Sequence, residues 1–368
     1  MLTSKMIKEA ALAAGADVCG IGPMSRFDGA PDEMNPQKLF PEAKSVIGFV
    51  FRIPRGVQRG IEEGTQFYQY PSMAYGGINE IFAPAVLYQV GKLIEDEGYE
   101  AFVYRNTGAR GTVSDMDGSP GNSLSPEEQI EVKENAKNST AHHRSVQFTR
   151  PTREGNTAPD LQFQFRLAAV ACGLGEIGWS KMLLTPQFGP LQRLAFIFTD
   201  AELEYDEMYN GKPLCRRCGA CVRECPGGCI PKDKTVKVNL AGHDVEWADV
   251  DMEKCGRTFV GAEEVAEGET GDYMPNSDKY KPASFSPFYH KPKNLYNTGQ
   301  AICGAKGCTR ACMISLEARG VLKNKFHEPF RTQKLWSMDW SEEAIAQDQR
   351  APYTPPYAKK KGEEDNAD

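Results

Sequence analysis

Long apolar runs are missing from this 368-residue sequence. The longest, Ser45 to Phe51 and Leu194 to Phe198, fall far short of the ~20 residues a membrane-spanning helix needs. An excess of positive charge is missing too. Lys and Arg number 43 against 50 Asp and Glu, a formal charge of -7. That balance argues against a chain whose main partner is a nucleic-acid backbone. The N-terminus has neither an apolar signal-peptide core nor a twin-arginine pair, so a cytoplasmic protein is expected. Cysteine is nearly absent from most of the chain, with only Cys19 and Cys172 outside residues 215–312. At 40% hydrophobic and 25% charged residues the composition is globular, which excludes a disordered chain. The length predicts about two domains.

The first 200 residues alternate helix-like and strand-like segments, which predicts an α/β layered core. Residues 3–14 place Met6, Ile7, Ala10, Ala11 and Ala14 at helical spacing, and Gly15 can end the helix. Val46 to Phe51 reads as a buried strand. Pro84 to Glu97 reads as a helix with Val86, Val90, Leu93 and Ile94 on one face. Tyr99 to Tyr104 and Leu194 to Thr199 read as strands, and Leu161 to Cys172 as a helix. Ser125-Pro126-Glu127-Glu128 reads as the start of a polar surface helix. After Asp200 the periodicity fades. Residues 256–300 mix prolines with aromatics and read as an irregular insertion or lid. The end, from Lys359, is a charged tail.

Nine of the eleven cysteines lie between Cys215 and Cys312. In a reducing compartment such clustering points to metal ligands or redox groups rather than disulfides. Cys215-x2-Cys218-x2-Cys221-x3-Cys225-Pro226 matches the ligand run of a bacterial-type ferredoxin. Two-residue gaps let a tight loop aim three thiolates at different irons of one cubane, and the longer gap with Pro turns the fourth away. Cys255 and Cys303-x4-Cys308-x3-Cys312 supply a second ligand set. The assignment is Cys215, Cys218, Cys221 and Cys312 to one 4Fe–4S cluster, and Cys225, Cys255, Cys303 and Cys308 to another. Cys229 is left over as a small buried residue. Structural zinc is the rival reading, and four cysteines in eleven residues followed by Pro fit it poorly.

Gly173-Leu174-Gly175-Glu176-Ile177-Gly178 is literally G-x-G-x-x-G. A dinucleotide site needs a strand before it and a helix after it. Here a helix-like segment precedes, and Pro186, Gly189 and Pro190 leave no room for the helix that would hold a pyrophosphate. A glycine loop approaching another large cofactor is the better reading.

The stretch GLGEIGWSKMLLTPQFGPLQRLAFIFTD, from Gly173 to Asp200, resembles the core segment of corrinoid-dependent reductive dehalogenases, and a shorter version occurs in epoxyqueuosine reductase. The opening IKEAALAAGADVCGIGP, the segment LFPEAKSVIGFVF and the order of the cysteines are similar too. Together these cover most of residues 5–325. The resemblance implies a nitroreductase-like α/β (α+β) core that binds base-off cobalamin, with a ferredoxin-like domain carrying two 4Fe–4S clusters. The expected domains are 1–203 for the core, 204–329 for the clusters with the 256–300 insertion, and 330–368 for a C-terminal extension. The cluster of Cys225, Cys255, Cys303 and Cys308 would be the one near the cobalt. None of the five histidines has Gly three residues on, so histidine-ligated corrinoid binding of the D-x-H-x-x-G kind is not expected. No tRNA-binding helical repeat follows the clusters, which places the expectation nearer a cytoplasmic reductive dehalogenase than epoxyqueuosine reductase.

A general acid is needed beside the reacting centre. Asp160 sits near the acidic residue of the queuosine enzyme, and reads equally as a helix cap. The dehalogenases use a Tyr with a basic partner, for which Tyr75 and Tyr104 are candidates, with Tyr68 and Tyr70 besides. Gly173, Gly175, Gly178 and Lys181 are candidate cofactor contacts, through the close approach glycine permits. His142-His143-Arg144 reads as a solvated loop. The expected function is reduction of a small organic substrate by electrons from a ferredoxin- or flavodoxin-type donor. The alternative is an electron-transfer or reductive-activation protein without its own corrinoid, and a flavin enzyme on the same core is a third.

Overall fold

The computed structural model describes residues 2–106, 163–259, 261–269, 280–283 and 302–337, with separate positions at 152, 161, 339, 341, 343 and 344. Helix α1 (Ser4–Ala14) starts at Thr3, whose hydroxyl accepts the Met6 N–H at 3.2 Å. It stops at Gly15, whose φ of 114° is left-handed, a conformation that costs a residue without a side chain little.

Strands β1 (Val18–Pro23), β2 (Ser45–Arg52) and β3 (Ala101–Tyr104) come next along the sheet-forming part of the chain. The short β4 (Glu176–Ile177) and β5 (Leu183–Leu184) pair with each other, and β6 (Gln192–Thr199) completes the main sheet in the order β1-β2-β6-β3. Every pairing in it is antiparallel, and Ile47 of β2 stands opposite both Ile21 and Ile197. The layers are therefore mixed α and β without the parallel crossovers of a doubly wound fold.

All of β2 but Arg52 is buried, because both faces of the sheet are covered. On one face α1 and a later helix pack Ile7, Ala11, Val86, Val90 and Ile94 against Ile47 and Phe49. On the other, Leu167 and Ala168 meet Val46, Phe196 and Phe198. Complete burial of a Phe side chain stabilises by about 1.5–3 kcal/mol, so Phe196 and Phe198 anchor this face. The hairpin of β7 (Thr235–Leu240) and β8 (His243–Ala248) adds Val238, Leu240 and Trp247 to the same core.

The helices follow in chain order: the single turn α2 (Arg59–Glu62), then α3 (Ala83–Asp96), α4 (Phe165–Ala171), the turn α5 (Ala220–Arg223), α6 (Met252–Phe259) and α7 (Cys308–Ala318). The helix expected from Pro84 has a forerunner that the sequence hid. Residues Tyr70–Phe82 coil as a wide helix that runs straight into α3, with the Ala83 N–H bonded to the Ile78 carbonyl five residues back. Pro71, Gly76 and Gly77 weaken the ordinary helical signal there. The 256–300 stretch is not wholly irregular. It holds the end of α6, and β9 (Ala262–Glu264) pairs with β10 (Tyr280–Pro282). The expected polar helix from Ser125 and the charged tail lie outside the described residues.

A buried ion cluster holds the C-terminal segment to the core. The fully buried Glu62 accepts from Arg310 at 3.1 Å and from Arg331 at 2.5 Å. The Trp336 N–H donates to the Glu62 carbonyl at 2.8 Å.

Candidate active site

Two groups of thiols form where α5, α6 and α7 meet the β4–β5 hairpin. Cys215, Cys218 and Cys221 come from the loop into α5, and Cys312 comes from α7. All four line one small cavity of about 30 Å3, with Gly178, Trp179 and Ser180 on its wall. The Cys215 N–H donates to Glu176 Oε1 at 2.6 Å, and the Trp179 N–H donates to Cys215 Sγ at 3.3 Å. Burial, then Cys215 and Cys218, push the Cys221 thiol up to about 11. Burial and the other three thiols of the group raise Cys312 as well. Burial would push Cys218 up, yet the Ala220 N–H, the Ser315 hydroxyl and Arg216 outweigh it and hold it below its usual value.

The second group is Cys225, Cys255, Cys303 and Cys308. Burial first, and then Cys225 and Cys255, raise Cys308 to about 12. Burial and then Cys308, Cys255 and Cys225 raise Cys303 too. Cys229 is a fifth thiol here, 3% exposed, and its N–H donates to Cys225 Sγ at 3.4 Å. Contact with Cys229 lowers both Cys225 and Cys255. None of the eleven cysteines is in a disulfide. Among the described residues no three Cys, His, Asp or Glu side chains close on a single metal-ion position. A cubane is a wider object than one ion, since each thiolate takes a different iron. The chemistry of the donor sets, four thiols to each, fits that demand.

A larger cavity of about 400 Å3 opens beside Cys255. Tyr75, Arg166, Arg193, Phe163, Phe165 and Phe259 line it. The Arg193 guanidinium lies 4.3 Å from the Tyr75 ring centroid, and its Nε–H donates to Asn79 Oδ1 at 3.1 Å. The wide helix Tyr70–Phe82 carries both Tyr75 and Asn79 to this place. Burial, and then Arg193, hold Arg166 below its usual value. Tyr70 is buried nearby and its phenol is pushed up by burial.

The structure thus brings Tyr75 and Cys255 into one cavity. It does not line that cavity with Tyr104, which stands behind the wall at 4.9 Å from Phe163 and 5.7 Å from Phe165. Asp160 and His142-His143-Arg144 lie outside the described residues. Gly173 and Gly175 meet this chain's own backbone, and Gly178 meets the Leu184 side chain. A Cβ on Gly173 would lie 2.2 Å from the Glu207 carbonyl oxygen, and one on Gly175 would lie 2.1 Å from that of Leu184. A Cβ on Gly178 would sit 3.0 Å from Leu184. These glycines let the β4–β5 hairpin close against its neighbours and leave no open cradle. Lys181 sits at a φ of 62°, and its ammonium donates to the Met252 thioether at 3.7 Å, at the edge of the larger cavity.

Sequence reasoning missed Arg166 and Arg193. A signal was there, since each is a lone charge inside an apolar element, FRLAAVA and QRLAFIFT.

The larger cavity thus has the thiol of Cys255, a member of the second group, on its wall. No family model matches the chain. Over 98 residues it is 38% identical to the tetrachloroethene reductive dehalogenase of Desulfitobacterium hafniense, a match covering 24% of this chain and 18% of that protein. Over 93 residues it is 31% identical to the enzyme of the same name from Sulfurospirillum multivorans, with the same coverage. The match spans about a fifth of the length of these curated relatives. Among solved structures, a reductive dehalogenase described for B12-dependent dehalogenation overlays on 92% of this chain and 42% of its own, at 15% identity and a TM-score of 0.42. The epoxyqueuosine reductase of Streptococcus thermophilus overlays on 63% of this chain and 55% of its own, at 15% identity and a TM-score of 0.39. The expected resemblance to reductive dehalogenases is matched by these curated relatives over that part of the chain. Among the described residues no helix is long and apolar enough to cross a membrane.

Proposed function

We propose that the chain is a corrinoid-dependent iron–sulfur reductase that removes a halide from a small organic substrate or reduces a related activated bond. The observation that carries this reading is the cavity itself, where Cys255 shares a wall with Tyr75 and Arg193. Replacing a carbon–halogen bond by carbon–hydrogen takes two electrons and one proton, and releases a halide. Cys215, Cys218, Cys221 and Cys312 would hold one 4Fe–4S cluster and Cys225, Cys255, Cys303 and Cys308 the other, and bound clusters would supply one-electron chemistry towards a ferredoxin- or flavodoxin-type donor. When bound, a corrinoid supplies a low-valent cobalt that attacks or reduces the substrate.

This chain's own residues have three tasks. Tyr75 is the proton donor, and the cation over its ring stabilises the phenolate left behind. Phe163, Phe165 and Phe259 keep water from the site. Lys181 stands at the cavity edge as a contact for a cofactor's phosphate or amide groups. The glycine loop supports the cysteine loop from behind, through Glu176 and Trp179.

Anaerobic reconstitution with iron, sulfide and hydroxocobalamin tests the reading, with absorbance and paramagnetic resonance as readouts. About eight irons and one corrinoid per chain are expected. Eight irons with no retained corrinoid would overturn it in favour of an electron-transfer protein. Fewer than about four irons would overturn the cluster assignment.

A further inference from the structure

Cys229 is the clustered cysteine that the two ligand sets leave over, yet its surroundings are specific. It is buried, and its N–H donates to Cys225 Sγ at 3.4 Å. Its carbonyl accepts the Asp251 N–H at 3.0 Å, and the Asp251 carbonyl in turn accepts the Cys255 N–H at 2.9 Å. Backbone hydrogen bonds thus tie Cys229 both to the cysteine loop and to the start of α6. Its thiol is a side-chain hydrogen-bond partner of Cys225 and of Cys255.

The single hydrogen of that thiol has few places to go. The third polar neighbour is Thr258, whose Oγ1 lies 3.9 Å from Cys229 Sγ. The Thr258 hydroxyl gives its own hydrogen to the Lys254 carbonyl at 2.9 Å, so towards Cys229 it can only accept. A neutral oxygen at that distance competes poorly with a ligand thiolate, because hydrogen bonds to ionised acceptors are the stronger ones. The packing around this thiol is close. A Cβ on Gly227 would lie 2.1 Å from Thr258 Oγ1 and 2.8 Å from Cys229 Sγ.

We propose that Cys229 is a positioning residue whose S–H donates to the thiolates of Cys225 and Cys255 and raises the reduction potential of the cluster they hold. This rests on the reading above, in which Cys225, Cys255, Cys303 and Cys308 hold one 4Fe–4S cluster. Reduction adds one electron to a cluster whose charge spreads onto its sulfurs. A donor to a ligand sulfur therefore stabilises the reduced form more than the oxidised one. The hydrogen stays on Cys229 throughout. The Cys229 N–H acts on Cys225 in the same sense, and it survives a change of side chain, so substitution isolates the thiol.

The test uses the full chain reconstituted anaerobically with iron and sulfide. Redox titration followed by paramagnetic resonance compares wild type, Cys229→Ala and Cys229→Ser, with iron per chain measured in parallel. Two one-electron steps and about eight irons are expected from the wild type. Cys229→Ala should weaken one reduction step about tenfold, or about 59 mV for one electron, and leave the other step in place. Cys229→Ser keeps an O–H donor and should restore most of that shift, and both variants should hold their iron. Eight irons with neither step moved in Cys229→Ala would overturn the proposal and leave the cluster assignment standing. Equal shifts in the Ala and Ser variants would also overturn it, since packing rather than a donated hydrogen would then be at work. Loss of four irons from Cys229→Ala would overturn it by making Cys229 a ligand. Fewer than about four irons in the wild type would overturn the cluster assignment, and the proposal with it.

Discussion

Glu176 reaches out of the β4–β5 hairpin and takes the backbone N–H of Cys215 at 2.6 Å, fixing the first ligand of the cysteine loop to the glycine motif. Burial raises its carboxyl above the usual value, and the Cys215 and Leu214 N–H groups oppose that. A raised pKa in the folded state means that protonation favours the fold. This contribution is complete below the ordinary carboxylate range and fades as pH rises through the raised value. Glu176→Gln is neutral at every pH. Its stability relative to wild type should therefore improve from acid pH towards neutrality, as read by thermal melts across that range. A difference that stays flat with pH would contradict the assignment. Glu176→Ala leaves the Cys215 N–H without its acceptor and should cost about 1–3 kcal/mol.

The Glu62 cluster makes a second stability prediction. Arg310→Ala leaves a fully buried carboxylate short of a partner, and breaking such a pair costs about 3–5 kcal/mol. The urea midpoint should fall accordingly. A change within 0.5 kcal/mol, about the size of an ordinary surface substitution, would show the cluster to be slack.

Iron content discriminates among the cysteines. Cys312→Ala and Cys225→Ala should each reduce the reconstituted protein from about eight irons to about four, since each breaks one cubane. Cys229→Ala should retain all eight. Loss of four irons from Cys229→Ala would make it a ligand and displace Cys225 or Cys255 from that role.

Tyr75 and Tyr104 separate in the same way. Loss of a proton donor lowers turnover about 10²–10⁴-fold, so Tyr75→Phe should do so with substrate binding preserved. Tyr104→Phe, one layer behind the wall, should change turnover little. The reverse ranking would move the proton donor to the edge of the sheet.

Much of this was legible in the residues themselves. The unbroken apolar run within SVIGFVFR marked the buried central strand, and the helical spacing from Thr3 to Ala14 with Gly15 after it marked α1. Cysteine spacing, which is local, marked the Cys215 to Cys225 run as ligands and raised the expectation of two groups of thiols. The wide helix before α3 was hidden because Pro71, Gly76 and Gly77 speak against regular coiling, and nothing local announces a bond five residues back. The meeting of Tyr75 with Arg193 was hidden for another reason. It depends on the placement of β6 beside the wide helix, a contact between distant parts of the chain that no periodicity encodes. The G-x-G-x-x-G motif shows the converse. Its context excluded a nucleotide, and its glycines serve a hairpin that supports a cysteine loop.

Helix α7 joins the two groups of thiols directly, with Cys308 in one and Cys312 in the other. Four residues of α-helix advance about 6 Å along the axis and return to nearly the same face. The spacing between Cys308 of one group and Cys312 of the other is thus set by a rigid rod, independent of the loops that bring in the remaining thiols. Inserting a single residue between Cys308 and Cys312 would swing one sulfur about 100° round that rod. The step from one group of thiols to the other is gauged by one turn of backbone hydrogen bonds.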